Sequence, residues 1–223
     1  NCNLNEIPYK CFSHLSADEA DIVKNSKVKL QFEQGELIFK QNSFANGVIF
    51  IVDGVVKQTI ESYSGKKLNI QLLNSGHFAG IASAFDNKKY NYSIIAVTDT
   101  ICCLIEKEAI INLMVRNSEF AISVMKKHFA NENYFFSKIA DINYKQMNGR
   151  IADTILYLNS FSHNNNSIFP LLSRKDIAEF ASLSVESTVK ILKNFEAENI
   201  IALNSKDITI IKKDLLENIS KNG

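Results

Sequence analysis

Apolar and polar positions change their period twice along this chain. From about Lys27 to Lys107 the apolar residues fall in short runs rich in Val and Ile: VKLQF, ELIFKQ, GVIFIVD, VVKQTIE, LNIQLL, YSIIAV and TICCLIE. Turn-forming residues separate them, at Gln34-Gly35, Asp53-Gly54, Ser64-Gly65-Lys66, Asn74-Ser75-Gly76 and Asp86-Asn87. Short strands at a spacing of about 8–12 residues predict a sandwich, a jelly roll or a barrel. Asp53-Gly54 between two apolar runs predicts a tight hairpin. Alternation within the runs is imperfect, which leaves strand register open.

From about Ser118 to Tyr144 there is neither Gly nor Pro, and the period becomes helical. Ile122, Met125, Phe129, Phe136 and Ile139 recur on one stripe, and Phe120, Val124, Phe135 and Ile142 on a second. A helix of ~25 residues is about 38 Å long. Two apolar faces must both be covered. One suits the β region of the same chain. The other suits the same helix of a second copy, as a short coiled coil, or the core of a monomer. Asn148-Gly149-Arg150 then reads as a hinge before an amphipathic helix from Ile151 to Phe161, followed by a polar loop from Ser162 to Ser167.

The third pattern spans Leu172 to Ile201 and predicts two helices joined by a tight turn. Ser173, with Asp176 three residues later, is close to a capping box and opens a helix over about 173–181. Ile177, Ala178 and Ala181 share its buried face. Ser182-Leu183-Ser184 breaks the pattern. Ser184 can cap a second helix whose buried side carries Ile191, Leu192 and Phe195. Val185, Glu186, Ser187, Val189 and Lys190 are left facing outward near its start. In a DNA-binding helix-turn-helix those positions enter the major groove, with Ser173 and Arg174 at the start of the first helix and Ser184 at the start of the second as further contacts. Spacing alone suits an ordinary helical hairpin equally well.

Composition narrows the class. With 46% hydrophobic and 22% charged residues among 223, the chain is neither disordered nor membrane-like, and it can bury one large core or two small ones. No apolar run approaches the ~18 residues of a membrane span. No signal peptide is visible, although the sequence starts at Asn1. Four cysteines do not make a disulfide scaffold, so a reducing cytoplasm is expected. There is no Gly-rich phosphate loop, no G-x-S-x-G and no H-E-x-x-H, so no enzyme chemistry is expected.

Charge tempers the DNA reading. The whole chain carries +1, and from Met147 onward nine Lys/Arg stand against nine Asp/Glu. DNA-binding surfaces draw affinity from counterion release, which needs a basic face. Here such a face must come from the arrangement of Arg174, Lys175, Lys190, Lys193, Lys206, Lys212 and Lys213. Two copies acting together would compensate for a weak single domain.

The order of parts resembles the Crp/Fnr family of bacterial transcription regulators over nearly the whole chain. GRIADTILYL (149–158) is similar to the family's hinge and first DNA-domain helix, and LSRKDIAEFASLSVESTVKIL (172–192) to its helix-turn-helix. The segment from Ile201 through Ile211 is similar to the wing hairpin. Gln34-Gly35-Glu36-Leu37 and Gly76-His77-Phe78-Ala79-Gly80 resemble family turns. The resemblance implies an α+β protein. Residues 1–117 would form a double-stranded β-helix or jelly roll that senses an effector, like a cyclic-nucleotide-binding domain. Residues 118–146 would form a long dimerisation helix and hinge, and 147–223 a winged helix-turn-helix. Its implied partners are double-stranded DNA, a second copy and RNA polymerase, with no membrane.

The resemblance also assigns roles. The family's recognition helix commonly carries a Glu, then an Arg four residues later, reading cytosine N4 and guanine O6/N7. Glu186 matches the first, and Lys190 replaces the Arg, which loosens the bidentate geometry. Val185 or Val189 could meet a thymine methyl. Glu186 and Lys190 alone also fit a solvent-exposed i,i+4 ion pair. Ser182 stands where relatives often have Gly, which implies local strain.

The implied effector pocket comprises Phe78, Gly80, Ile81, Tyr92 and Ser93. Cyclic-nucleotide binders hold the ribose with a Glu after the Gly-x-Phe-x-Gly turn and the phosphate with Arg-Ser. Ile81 and Tyr92-Ser93 stand at those places. Isoleucine accepts no hydroxyl bond and tyrosine carries no charge to offset a phosphate, so cAMP is not expected. The cofactor stays unknown. An iron–sulfur cluster would need four thiolates. Cys2, Cys11, Cys102 and Cys103 lack the family's closely spaced trio, and one of the last two should face the core as a small hydrophobe. The four histidines, His14, His77, His128 and His163, show no metal-ligand spacing. Haem ligation by His14 or His77 rests on nothing specific. The competing function is a small-molecule-binding β module whose C-terminal part serves protein contacts.

Overall fold

The computed structural model describes residues 12–85, 89–162 and 166–223. Cys2, Cys11, His163 and the turn at Asp86-Asn87 lie outside the described residues. The chain divides into two units, residues 1–66 with 71–134 and residues 67–70 with 135–223.

The first unit opens with α1 (Ala17–Asn25), started by a capping box between Ser16 and Glu19. The strands are β1 (Lys27–Phe32), β2 (Leu37–Phe39), β3 (Val48–Asp53), β4 (Val55–Glu61), β5 (Lys67–Asn74), β6 (Phe78–Ala79), β7 (Ser93–Ala96) and β8 (Thr100–Ile105). They form two four-stranded sheets, ordered β1-β8-β3-β6 and β2-β7-β4-β5. This is the jelly-roll arrangement. Each of the seven apolar runs holds a strand, and Asp53-Gly54 joins β3 to β4 with Gly54 at φ 95°.

Cys102 and Cys103 are both buried. Adjacent residues in a strand point to opposite faces. Cys103 joins Phe50, Phe78 and Ile105 in one apolar cluster, and Cys102 joins Ile49, Ile51 and Tyr90 in another. One of the two was expected to face the core; both are buried, because each face of β8 is covered by its own apolar cluster.

After α2 (Ala82–Phe85) and α3 (Lys107–Arg116) comes the predicted long helix, α4 (Ser118–Tyr144), 27 residues in length. Its start is fixed by Asn117, whose Oδ1 accepts from Phe120 N–H at 2.9 Å. Phe120 and Val124 are buried in the cluster that holds Phe50 and Phe78. The other stripe is exposed throughout: Ile122 54%, Met125 37%, Phe129 50%, Phe136 64% and Ile139 58%.

The second unit contains α5 (Met147–Asn159), α6 (Arg174–Ala181), α7 (Val185–Ala197), the hairpin β9 (Ile201–Asn204) and β10 (Asp207–Ile210), and α8 (Lys213–Asn222). Ile151, Ile155 and Leu158 of α5 share the core with Ile177 and Phe180 of α6, Leu192 and Phe195 of α7, and Leu216 of α8. The hinge expected at Asn148-Gly149-Arg150 is corrected. Those residues are helical, and the break falls at Lys145-Gln146. Gly149 serves close packing instead, since a Cβ there would run into the Gly223 carbonyl. A glycine chosen for proximity looks the same in sequence as one chosen for flexibility.

Candidate nucleic-acid interface and effector site

Side-chain caps build the two helices of the motif. Ser173 Oγ accepts from Asp176 N–H at 3.0 Å while Asp176 Oδ2 accepts from Ser173 N–H at 2.8 Å, completing the capping box. α6 ends at Ser182, which sits in the left-handed region at φ 56°, ψ 45°. Leu183 N–H donates back to Ala178 O at 2.9 Å, closing the helix as an αL turn does. Ser184 then caps α7, accepting from Ser187 N–H at 3.1 Å.

That geometry turns Ile191, Leu192 and Phe195 inward and presents Val185, Glu186 and Lys190 to solvent, with Ser187 and Val189 half-buried. Among the described residues, Glu186 and Lys190 form no ion pair with each other. The i,i+4 pairs Lys175–Glu179 and Lys213–Glu217 do, at 3.9 and 3.5 Å. Both heads of the expected base-reading pair therefore stay available to an outside partner.

Arg174 also has partners within its own chain. Its Nη1 donates to Lys206 O at 3.1 Å and its Nη2 to Ser205 O at 2.9 Å, so the guanidinium ties the β9–β10 turn to the start of α6. Burial lowers its pKa, against the opposing pull of Asp207. Sequence spacing did not signal this tie to the wing.

The predicted effector residues split between two clusters. Phe78 and Ile81 are buried in the Phe50 cluster. Tyr92 borders the other, its ring 5.6 Å from that of Phe39, which in turn stacks on Tyr90 at 3.9 Å. Gly80, at φ 78°, lies between them. Its N–H donates to Tyr92 Oη at 2.7 Å, and a Cβ at this position would collide with the Tyr90 ring. Tyr90 Oη donates to Gly47 O at 2.8 Å, a partner the sequence did not suggest. Burial pushes the Tyr92 phenol up to about 12, with the Gly80 N–H pulling the other way and Tyr90 adding to the rise. Ser93 Oγ is engaged by Gln41 N–H at 2.9 Å. The arrangement is neutral and internally hydrogen-bonded.

The remaining ligand candidates are scattered. His77 Nδ1 lies 3.0 Å from Asn74 O, and burial lowers its pKa. His14 pairs with Glu119 at 3.0 Å. Among the described residues no group of three or more His, Cys, Asp or Glu could hold a metal ion. Among the described residues no helix is long and apolar enough to cross a membrane.

Family comparison agrees with this architecture at both ends. Residues 29–117 match the cyclic nucleotide-binding domain and residues 149–219 the Crp-like helix-turn-helix domain. The chain belongs to the Crp/Fnr family of transcription regulators. Among Crp/Fnr relatives, the cAMP-activated global transcriptional regulator CRP of Salmonella typhimurium strain LT2 is 23% identical over 178 residues, covering 78% of this chain and 84% of that protein. A transcriptional regulator of the Crp/Fnr family from Eubacterium rectale superposes with a TM-score of 0.79 at 17% identity, over 98% of this chain and 100% of the other. The c-di-GMP responsive global regulator CLP of Xanthomonas campestris gives a TM-score of 0.76 at 16% identity, over 87% and 99%. The last two establish a shared Crp/Fnr fold.

Proposed function

We propose that this Crp/Fnr regulator works as a homodimer that reads a near-palindromic operator, with half-sites about one helical turn apart. The observation carrying the proposal is the α7 surface, where Val185, Glu186 and Lys190 face outward directly after the Ser184 cap. Ser173, Ser187 and Val189 complete the DNA face. Ile122, Met125, Phe129, Phe136 and Ile139 pair the two copies, since an exposed aromatic and aliphatic stripe this long needs a cover. The protein acts by binding rather than catalysis, in the cytoplasm, with RNA polymerase as its downstream partner.

Its signal is an effector or redox change other than cAMP. The Gly80–Tyr92 bond and the buried Ile81 support that, because both positions lack the acceptor and the cation that a cyclic nucleotide requires. Selection from a random DNA pool at two salt concentrations tests the proposal. Enrichment of a palindrome with steep salt dependence is expected. The balanced charge of residues 147–223 favours the competing reading, a β-roll module with a protein-binding C-terminal part. A clean dimer that enriches no sequence would favour that competitor.

A further inference from the structure

The C-terminal end of α6 carries the turn that sets the departure of α7, and its last carbonyls have no partner within the helix. Two cations reach these carbonyls from outside the α6–α7 pair. Lys138 Nζ, on α4, donates to Phe180 O and lies 5.9 Å from the centroid of the Phe180 ring. Arg150 Nη1, on α5, donates to Ser182 O at 3.4 Å. Both meet the negative end of the helix dipole.

Lys138 is held in place by a charged surround. On α4 itself are Asp141 and Lys145, and on α5 Arg150 and Asp153. Lys145 bridges Asp141 at 2.8 Å and Asp153 at 3.3 Å, and Ser220 of α8 donates to Asp153 at 3.1 Å. From α6, Lys138 meets a carbonyl and a ring. Burial brings Lys138 down to about 8, against the pull of Asp153 and Asp141, while Lys145 and Arg150 lower it further. The turn it grips contains Ser182 in the left-handed region, a conformation that costs about 1–2 kcal/mol for a residue with a Cβ. A strained turn held by outside donors depends on those donors.

We propose that Lys138 is a positioning residue for DNA reading, a clamp on the C-terminal end of α6 that, with Arg150, fixes the turn from which the recognition helix departs. This rests on the DNA-reading role proposed for α7. In the absence of the clamp α7 keeps its own cap and core but loses a fixed bearing on α4.

The test compares the wild-type dimer with Lys138→Met and Lys138→Arg, each confirmed folded by circular dichroism and melting. Two readouts are taken: affinity for the selected operator at pH 7 and pH 9, and hydrogen exchange at the Leu183 amide without DNA. Lys138→Met is expected to lose about tenfold in affinity against wild type at pH 7, in keeping with one charged hydrogen bond, and less at pH 9. Wild type should match Lys138→Arg at pH 7 and fall several-fold below it at pH 9. Leu183 should exchange faster in Lys138→Met and as in wild type in Lys138→Arg. Equal operator affinity of the three forms at both pH values overturns the clamp, as does lost affinity with unchanged Leu183 exchange. If wild-type protein binds no DNA, the reading of α7 fails separately, and Leu183 exchange alone decides whether Lys138 holds the turn.

Discussion

The Gly80 amide donates its hydrogen to the Tyr92 hydroxyl across 2.7 Å, so two residues of the expected effector pocket satisfy each other in this chain. Gly80 is buried, and its N–H would lose its partner if the hydroxyl were removed. Tyr92→Phe should therefore destabilise the protein by about 1–3 kcal/mol, the cost of an unpaired buried donor. Urea unfolding measures it. Millimolar cAMP should leave the melting temperature of wild type unchanged, since a ligand that binds the fold must raise it.

Ser182 offers a gain instead of a loss. At φ 56° a glycine avoids the Cβ clash, offset in part by its greater freedom in the unfolded chain. Ser182→Gly should stabilise the protein by about 0.5–1 kcal/mol, and a drop in the urea midpoint would contradict the strain assigned to this turn.

The base reading proposed for α7 can be tested by substitution in both directions. Glu186→Ala should relax specificity at one base pair by about 1–3 kcal/mol. Lys190→Arg should sharpen it, because a planar fork can meet guanine O6 and N7 together. Competition between the operator and single-base variants reports both, and a uniform change across all variants would assign the residue to phosphate contact.

The exposed stripe of α4 predicts the assembly state. Phe136→Glu, with a second charge at the matching position of the partner helix, should convert the dimer to a monomer while leaving the fold intact. Sedimentation velocity distinguishes the two, and an unchanged dimer would remove α4 from the interface.

Lys138 gives stability a definite pH dependence. Its folded value of about 8 lies below the ordinary lysine value near 10.4. Below pH 8 both states hold the proton and the penalty of burying the charge is complete. Between about 8 and 10.4 the unfolded chain binds the proton more strongly, so stability from this group rises with pH. Lys138→Met should flatten that rise in unfolding curves taken at pH 7.5 and pH 9.5.

Local signals made much of this architecture legible. The Ser173–Asp176 box and the Ser184 cap set the starts of α6 and α7 within a residue, since capping is written in neighbouring side chains. Strand runs bounded by Gly turns were equally plain. What escaped was long-range. Gly149 answers to Gly223, Arg174 to the wing carbonyls, and Lys138 to the end of another helix. In sequence each looks like an ordinary hinge glycine, phosphate contact or surface cation. β6 holds only Phe78 and Ala79, too short for any periodicity. The two stripes of α4 were legible, and they part as Phe120 and Val124 are buried while Ile122, Met125, Phe129, Phe136 and Ile139 are exposed.

The pairing proposed through Ile122, Met125, Phe129, Phe136 and Ile139 would tie the protein's response to its own supply. While monomers predominate, the amount of DNA-competent species grows with the square of the monomer concentration. Doubling the monomer concentration then quadruples the paired species, and a twofold dilution by growth cuts it by the same factor. Such a regulator carries a threshold set by its abundance, independent of whatever the β-roll senses.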